Sequence, residues 1–435
     1  MTLKLTCGYW LGPGLIICGL LFTTSTFAEE KGIGDFPKLS ATNDWPWWRG
    51  PWRNGIADQS PVPTNLSDTD NLIWKVPVPG RGHSSPTVVG NRVFLTSANK
   101  ADEIHWVMGF DRATGNLLWQ KEINRGGFPE KNHPKNTEAT ATVASDGERL
   151  FATFYHHDKV AAISLDLDGN ILWTRDVCRF RPRLYEYGYA PSPIVYHDTV
   201  IISAEYDGDS FITALDRKTG QQTWQTPRPM MISFSTPVIG RMSGKDQMLI
   251  SGAQKISAYD PSNGNPLWST DGTTFATCGT MVWDQDIAFA SGGFPKSETI
   301  AVKADGSGEV LWKNNQKCYE QSMLTHQGHL YALNDSGVMF CWRGSDGKEM
   351  WKSRLKGPVS ASPVLANGHI YWANELGTIY VFRPTPEKFD LVAENHVGTD
   401  AFPSPAICGG QIFLRVGQGS GHERQEWLYC FASDK

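Results

Sequence analysis

From residue 72 onward, short apolar runs alternate with polar clusters rich in Asp, Thr, Asn and Gly, and the pair repeats along the chain. ALDRKTGQQTW (214–224) recurs as GFDRATGNLLW (109–119), SLDLDGNILW (164–173) and AYDPSNGNPLW (258–268), with weaker copies at 301–312, 341–351 and 381–391. Each copy reads as a hairpin: the apolar run is a strand, the polar tetrad turns the chain, and the Gly supplies the positive φ of a bulged turn. A large apolar residue follows the Gly and points off the last strand to fill a gap.

The markers Trp74, Trp119, Trp173, Trp224, Trp268, Trp312, Trp351 and Leu391 are spaced 45, 54, 51, 44, 44, 39 and 40 residues apart, which suits four short strands per unit. After each marker comes a β-rich stretch, often opened by a small residue and Pro, as in SSPTVVGNRVFL, PSPIVYHDTVIIS and SASPVLANGHIYWA. The expected fold is all-β, an eight-bladed β-propeller of four-stranded antiparallel blades. Its ring closes when the N-terminal strand LIWKVPV (72–78) pairs with the last blade, which ends at WLYCFAS, leaving no open sheet edge.

Composition adds the N-terminal part. Residues 1–28 read as a cleaved signal peptide, with Lys4, an apolar run from Leu11 to Phe22 and a small-residue site at Ala28. Export to the periplasm or outside the cell follows, without lipidation, because Cys18 lacks a convincing lipobox. Past the signal no apolar run approaches the length of a membrane span. Residues 29–70 form a Trp/Pro-rich N-terminal clamp ahead of the propeller at 71–435; DWPWWRGPWRNG (44–55) carries four tryptophans that must be received by the blades near the closure point. The formal charge of -5 and the absence of a basic tract exclude a nucleic-acid footprint. Six cysteines follow the signal, Cys178, Cys278, Cys318, Cys341, Cys408 and Cys430, in no CxxC pair; disulfides and buried thiols both remain open.

The AxDxxTGxxxW form of 214–224 resembles the tryptophan-docking repeat of the pyrroloquinoline quinone (PQQ)-like propeller family, over residues 72–435, and WPWWRGPWRNG is similar to the lead-in of exported bacterial members. The resemblance implies one of two kinds of protein: quinoprotein dehydrogenases, or non-catalytic members similar to the assembly lipoprotein BamB. The adjacent cysteines of the quinoprotein alcohol dehydrogenases are missing, and no segment matches their calcium-binding motifs. The expectation is a non-catalytic binding scaffold, monomeric, with no cofactor, no metal and no catalytic residue. The alternative is a PQQ-dependent enzyme with calcium. Carboxylates over a Trp floor at the mouth of the central channel would favour the enzyme; an apolar block with exposed Arg/Tyr loops would favour the scaffold.

Long loops on a rigid scaffold are where binding usually sits. Two consecutive outer-to-inner crossovers are longer than the rest, Trp119 to Thr140 and Trp173 to Ser192. The second places Arg179, Arg181 and Arg183 beside Tyr185, Tyr187 and Tyr189 in alternation, the composition of an interaction hot spot. Arg125, Lys131, His133 and Lys135 on the first add positive charge, so a protein or an anionic polymer at the cell envelope is the expected partner. These cations could instead pair with Glu138, Glu186 and Asp176 and merely hold the loops down. YHHD (155–158) reads as a turn, GQGSGHERQEW (417–427) as a loop between the second and third strands of the last blade, and the repeated Asp111 and Asp216 as turn caps.

Overall fold

The polar tetrads are hairpin turns. β1 (Leu72–Val78) is followed by β2 (Thr87–Val89), β3 (Arg92–Asn99), β4 (Ile104–Asp111) and β5 (Leu117–Arg125), and the last four pair in order as one antiparallel blade. In the β4–β5 turn the Asp111 carboxylate accepts from the Thr114 amide and hydroxyl, both at 2.8 Å, and from the Ala113 amide at 3.1 Å. The Gly115 amide donates to the Asp111 carbonyl at 2.8 Å, with Gly115 at φ +76°. Asp216, Thr219 and Gly220 repeat this arrangement two blades on. The Asp residues are therefore turn caps.

In this computed structural model, which describes residues 33–57 and 61–433, eight such sheets form the ring. The eighth blade takes three strands from the C-terminal end, Ala406–Cys408, Gln411–Gln418 and Gln425–Ala432, and its outer strand is β1, paired from Leu72 opposite Phe431 to Val78 opposite Glu426. The signal-peptide expectation lies outside the described residues. Among the described residues no helix is long and apolar enough to cross a membrane, and all six cysteines there are free thiols.

Neighbouring blades are joined by the marker tryptophans. Each outer strand that carries a marker Trp slips register just before it, and the Trp then stands opposite a small residue, as Trp119 faces Gly109, Trp173 Ser164, Trp224 Ala214, Trp268 Ala258 and Trp351 Cys341. The bulge swings the indole towards the next blade. There most indole N–H groups find the turn carbonyl: Trp74 donates to Arg112 O, Trp119 to Leu167 O, Trp173 to Arg217 O, Trp312 to Gly344 O and Trp351 to Thr385 O, at 2.7–3.1 Å. Trp268 donates instead to Gln247 Oε1, and the buried Trp224 Nε1 has no partner among the described residues. The turn glycine lies flat against the incoming ring: a Cβ on Gly115 would stand 2.7 Å from the Trp74 ring.

The eighth marker is corrected by the register. In blade 7 Ala393, not Leu391, stands across the bulge, opposite Val381; Leu391 faces Phe382 and is exposed. The next blade is the one closed by the two ends of the chain, so it has no third-to-fourth-strand turn on which an indole could dock.

The Trp-rich segment sits on the propeller axis rather than over the closure point alone. Residues 33–39 lie against blades 2 and 3, where Lys38 pairs with Glu148 and Asp35 with His197. Trp45 exchanges both backbone bonds with Val88 of blade 1, at 2.8 and 2.9 Å, and Pro46 O accepts from Ser145 of blade 2. The buried Arg49 donates to Pro363 O and Met323 O, and Arg53, stacked 4.2 Å over Trp47, donates to Val195 O. Ala57 and Gly55 bracket Leu365 of blade 7. Residues 61–70 then pack over blades 7 and 8, with Tyr371 donating to Pro63 O and Asn395 accepting from Leu66.

Gly115→Ala adds a methyl inside the Trp74 ring contact at a positive φ and is expected to cost about 3 kcal/mol. Gly244→Ala, at φ +73° with open space around it, costs about 1 kcal/mol by backbone strain alone. Denaturant unfolding of both variants checks the difference; equal losses would mean the indole contact contributes nothing.

Candidate functional site

The crossovers reach the axis through a circle of hydroxyls, one from each blade. Ser85 N donates to Thr142 Oγ1, Thr142 N to Ser192 Oγ and Ser192 N to Thr236 Oγ1, all at 3.0 Å. The relay continues from Thr280 N to Ser322, Ser322 to Ser362, Ser362 to Ser404 and Ser404 back to Ser85, at 2.8–3.1 Å. Among the described residues it is open only between Thr236 and Thr280. There the plug enters: the Trp48 indole N–H donates to Thr280 Oγ1 at 2.8 Å.

Above this circle, on the face that carries the crossovers, is a funnel of about 180 Å³. Trp48, bonded into the circle, is its floor, and Tyr187, Phe234, Tyr319 and Phe402 are the aromatic part of its wall. Phe402 stacks on His83, ring centroids 4.5 Å apart, and Tyr187 on Phe234 at 6.2 Å. Two charged side chains line it, Lys135 and Glu320. The Lys135 ammonium is 2.8 Å from Glu375, which also accepts from Ser360 Oγ at 2.7 Å, and 3.9 Å from Glu320. Burial, joined by the charges of Asp335 and Glu375 and opposed by Lys135, pushes the Glu320 carboxyl up to about 7. Burial also holds His83 and His133 below the ordinary imidazole range, His83 helped by Arg81, Arg415 and Arg424 and His133 by Lys135, so both are neutral at pH 7. Burial drives the Cys278 thiol well up, so it is no ready nucleophile.

A second concavity, an open groove of about 920 Å³, lies between the two long crossovers, residues 126–143 and 180–193. It collects Lys131, Arg179, Arg181 and Arg183 together with Glu130, Glu186, Asp207 and Asp209. Arg181 pairs with Asp158 at 2.5 Å and Lys131 with Glu186 at 3.0 Å. Among the described residues nothing takes a hydrogen bond from the exposed guanidinium groups of Arg179 and Arg183; the Arg183 backbone is held by Asp207 at 2.9 Å. Glu138 and Asp176 pair with Lys100 and Lys159, not with these arginines.

The ten residues expected to bind as one set are thus divided. Lys131, Arg179, Arg181 and Arg183 share the groove; His133, Lys135 and Tyr187 turn inward to the funnel. Arg125 ends β5 and pairs with Glu122 at 2.7 Å, apart from both. Tyr189 is core: it is buried, its hydroxyl donates to Ser203 O at 2.9 Å, and it packs on Phe180. The strict Arg/Tyr alternation breaks because the chain leaves the strand at Arg179 and Tyr185 takes a left-handed φ of 54°. The hydroxyl circle and Glu320 were not anticipated; the small residue before each inner strand, repeated in SSP, PSP, STP and ASP, is the signal that carried the first.

A quinone centre with calcium needs several convergent oxygens free to bind a hard cation. The funnel does not fit that requirement: Lys135 already neutralises Glu375, and among the described residues no group of three or more His, Cys, Asp or Glu comes together as a metal site. Fold and site define an eight-bladed propeller of the PQQ-like repeat class with a plugged axis and a tryptophan-floored funnel. The chain belongs to the family described as outer membrane protein assembly factor BamB, whose model matches residues 63–123, 103–291 and 296–385. It is 23% identical over 383 residues to the BamB of Burkholderia pseudomallei (strain K96243), covering 75% of this chain and 93% of that one. Among solved structures, a europium-containing methanol dehydrogenase superposes with a TM-score of 0.65 at 11% identity, over 90% of this chain and 98% of that one. BamB from Moraxella catarrhalis superposes with 0.57 at 14%, over 82% and 96%. The two structural likenesses show the fold alone.

Because the Glu320 carboxyl is raised in the folded state, its contribution to stability is complete below the unfolded carboxyl range and is lost as pH rises through about 7. Relative to Glu320→Gln, the wild type should therefore lose stability between about pH 5 and 8, by about 2 kcal/mol. Unfolding curves of both proteins at several pH values measure it, and parallel pH profiles would refute the burial argument.

Proposed function

We propose that the protein is an exported, non-catalytic binding scaffold of the cell envelope that holds a segment of a protein partner in the groove between its two long crossovers. The observation that carries this reading is the pair of exposed guanidinium groups, Arg179 and Arg183, unpaired among the described residues in a groove where Arg181 and Lys131 are matched. Arginine forks recognise carboxylates through two parallel donors, and an unpaired one incurs no loss of an existing partner on binding. A protein suits the groove better than an anionic polymer, because Glu130, Asp207 and Asp209 would repel a uniform negative charge. Membership of a family described by an outer-membrane assembly factor supports a partner among envelope proteins, with the periplasm as the site of action.

A quinone-dependent dehydrogenase is favoured by one observation, the Glu320 carboxyl near an indole floor. Calorimetric titration with PQQ and calcium decides that reading: micromolar affinity would overturn the scaffold.

The scaffold itself is tested by site-specific photo-crosslinking from the groove in intact cells, followed by recovery of the partner. Arg179→Ala with Arg183→Ala should lower the recovered partner about tenfold, whereas Arg181→Ala, which breaks an existing exposed pair, should lower it less. Undiminished recovery from the double variant would sink the proposal.

A further inference from the structure

The funnel has features that the groove reading leaves unused. Its wall is aromatic on several sides, and its floor is the Trp48 ring, fixed by the hydrogen bond to Thr280. The hydroxyls of the circle accept from backbone amides of the neighbouring blades. The two histidines that line it carry no charge at neutral pH. Of the ionised groups, the Lys135 ammonium is drawn to Glu375 at 2.8 Å and stands off Glu320 at 3.9 Å. The neighbouring Asp335 is matched by Lys317 at 3.2 Å. Among the described residues the Glu320 carboxylate takes no hydrogen bond from another side chain and is approached by Lys135 at 3.9 Å, so one negative charge is left over.

Aromatic faces present negative potential to a cation, and the attraction grows when the site is desolvated. A carboxylate inside an aromatic enclosure completes such a site. The volume sets the size of the guest: pockets for drug-sized ligands run from about 300 to 1,000 Å³, so about 180 Å³ suits a head group rather than a fused-ring cofactor. We infer that the axial funnel is a binding site for a small organic cation, an ammonium group on a short alkyl stem, held between the Trp48 floor, the aromatic wall and the Glu320 carboxylate. The site is separate from the groove, so neither reading depends on the other.

The groups facing Glu320 also give the site a pH response. Lys135 stays protonated across the neutral range, and Cys278 and Tyr319 stay protonated because burial raises them. The group that titrates near neutrality is Glu320, so cation binding should strengthen as pH rises.

The experiment is calorimetric titration of the full mature protein with choline and with n-butylammonium, against 3,3-dimethyl-1-butanol, the uncharged carbon counterpart of choline. At least one ammonium should bind saturably, at least about tenfold tighter than the neutral probe, and about tenfold tighter at pH 8 than at pH 6. Which of the two binds better distinguishes a quaternary head group from a lysine-like one. Glu320→Gln should weaken the ammonium about tenfold and remove the pH response; Trp48→Phe, which keeps a floor ring, should weaken it less. No saturation by either ammonium up to about 100 mM, equal binding of the neutral probe, or an unaltered Glu320→Gln variant would each overturn the inference.

Discussion

A propeller brings eight inner strands to one axis, and each arrives there as the unpaired edge of its sheet. Buried backbone groups without partners cost about as much as lost hydrogen bonds, so the axis must be supplied with donors and acceptors. Residues 45–57 supply them. Trp45 and Val88 exchange a full pair of backbone bonds, and Gly55 and Ala57 do the same for Leu365. Arg49 and Arg53 carry side-chain donors to the Pro363, Met323 and Val195 carbonyls. The segment is thus part of the core of the ring, and its Trp48 forms the base of the funnel.

The use of arginine here has a physical reason. Both guanidinium groups are fully enclosed, and desolvation brings Arg49 down to about 9 and Arg53 to about 10, the latter held up by Asp246 and Tyr196. Both remain charged at neutral pH, which an equally buried lysine would not be sure to do. The planar fork also lets Arg49 serve Pro363, Met323 and Asn54 at once. Among the described residues the Nε atoms of both lack partners, a cost set against those bonds.

Much of the ring was legible because one local rule is used six times, a turn Gly followed four residues on by a Trp. Asp, Gly and Trp at fixed offsets specify a capped turn, a close approach and a docked indole, and the spacing counts the blades. The rule failed at Leu391 for a reason outside the local sequence: the blade it faces is closed by chain ends, so no turn selects for an indole, and register alone places Ala393 there. The plug was legible only as tryptophans needing burial. Its path along the axis depends on bonds to strands as much as 314 residues away, which no periodicity reports.

The binding residues were read as one set because loop composition shows charge and aromatic content but not direction. Between His133 and Lys135 the chain turns through local bonds, the His133 ring accepting from the Lys135 amide at 3.2 Å, and this carries Lys135 to Glu375 of blade 7 across the funnel. Its neighbour Lys131 faces outward to Glu186. Two cations four residues apart therefore serve different concavities: one pairs with a groove carboxylate, the other neutralises an axial one. That second pairing gives the funnel its sign. Were Lys135 free, the axis would hold a cation above an indole and would favour an anion; committed to Glu375, it leaves Glu320 to set the local field. The chemistry of the axis thus rests on a long loop of blade 2 closing over it, and the same loop forms one wall of the groove.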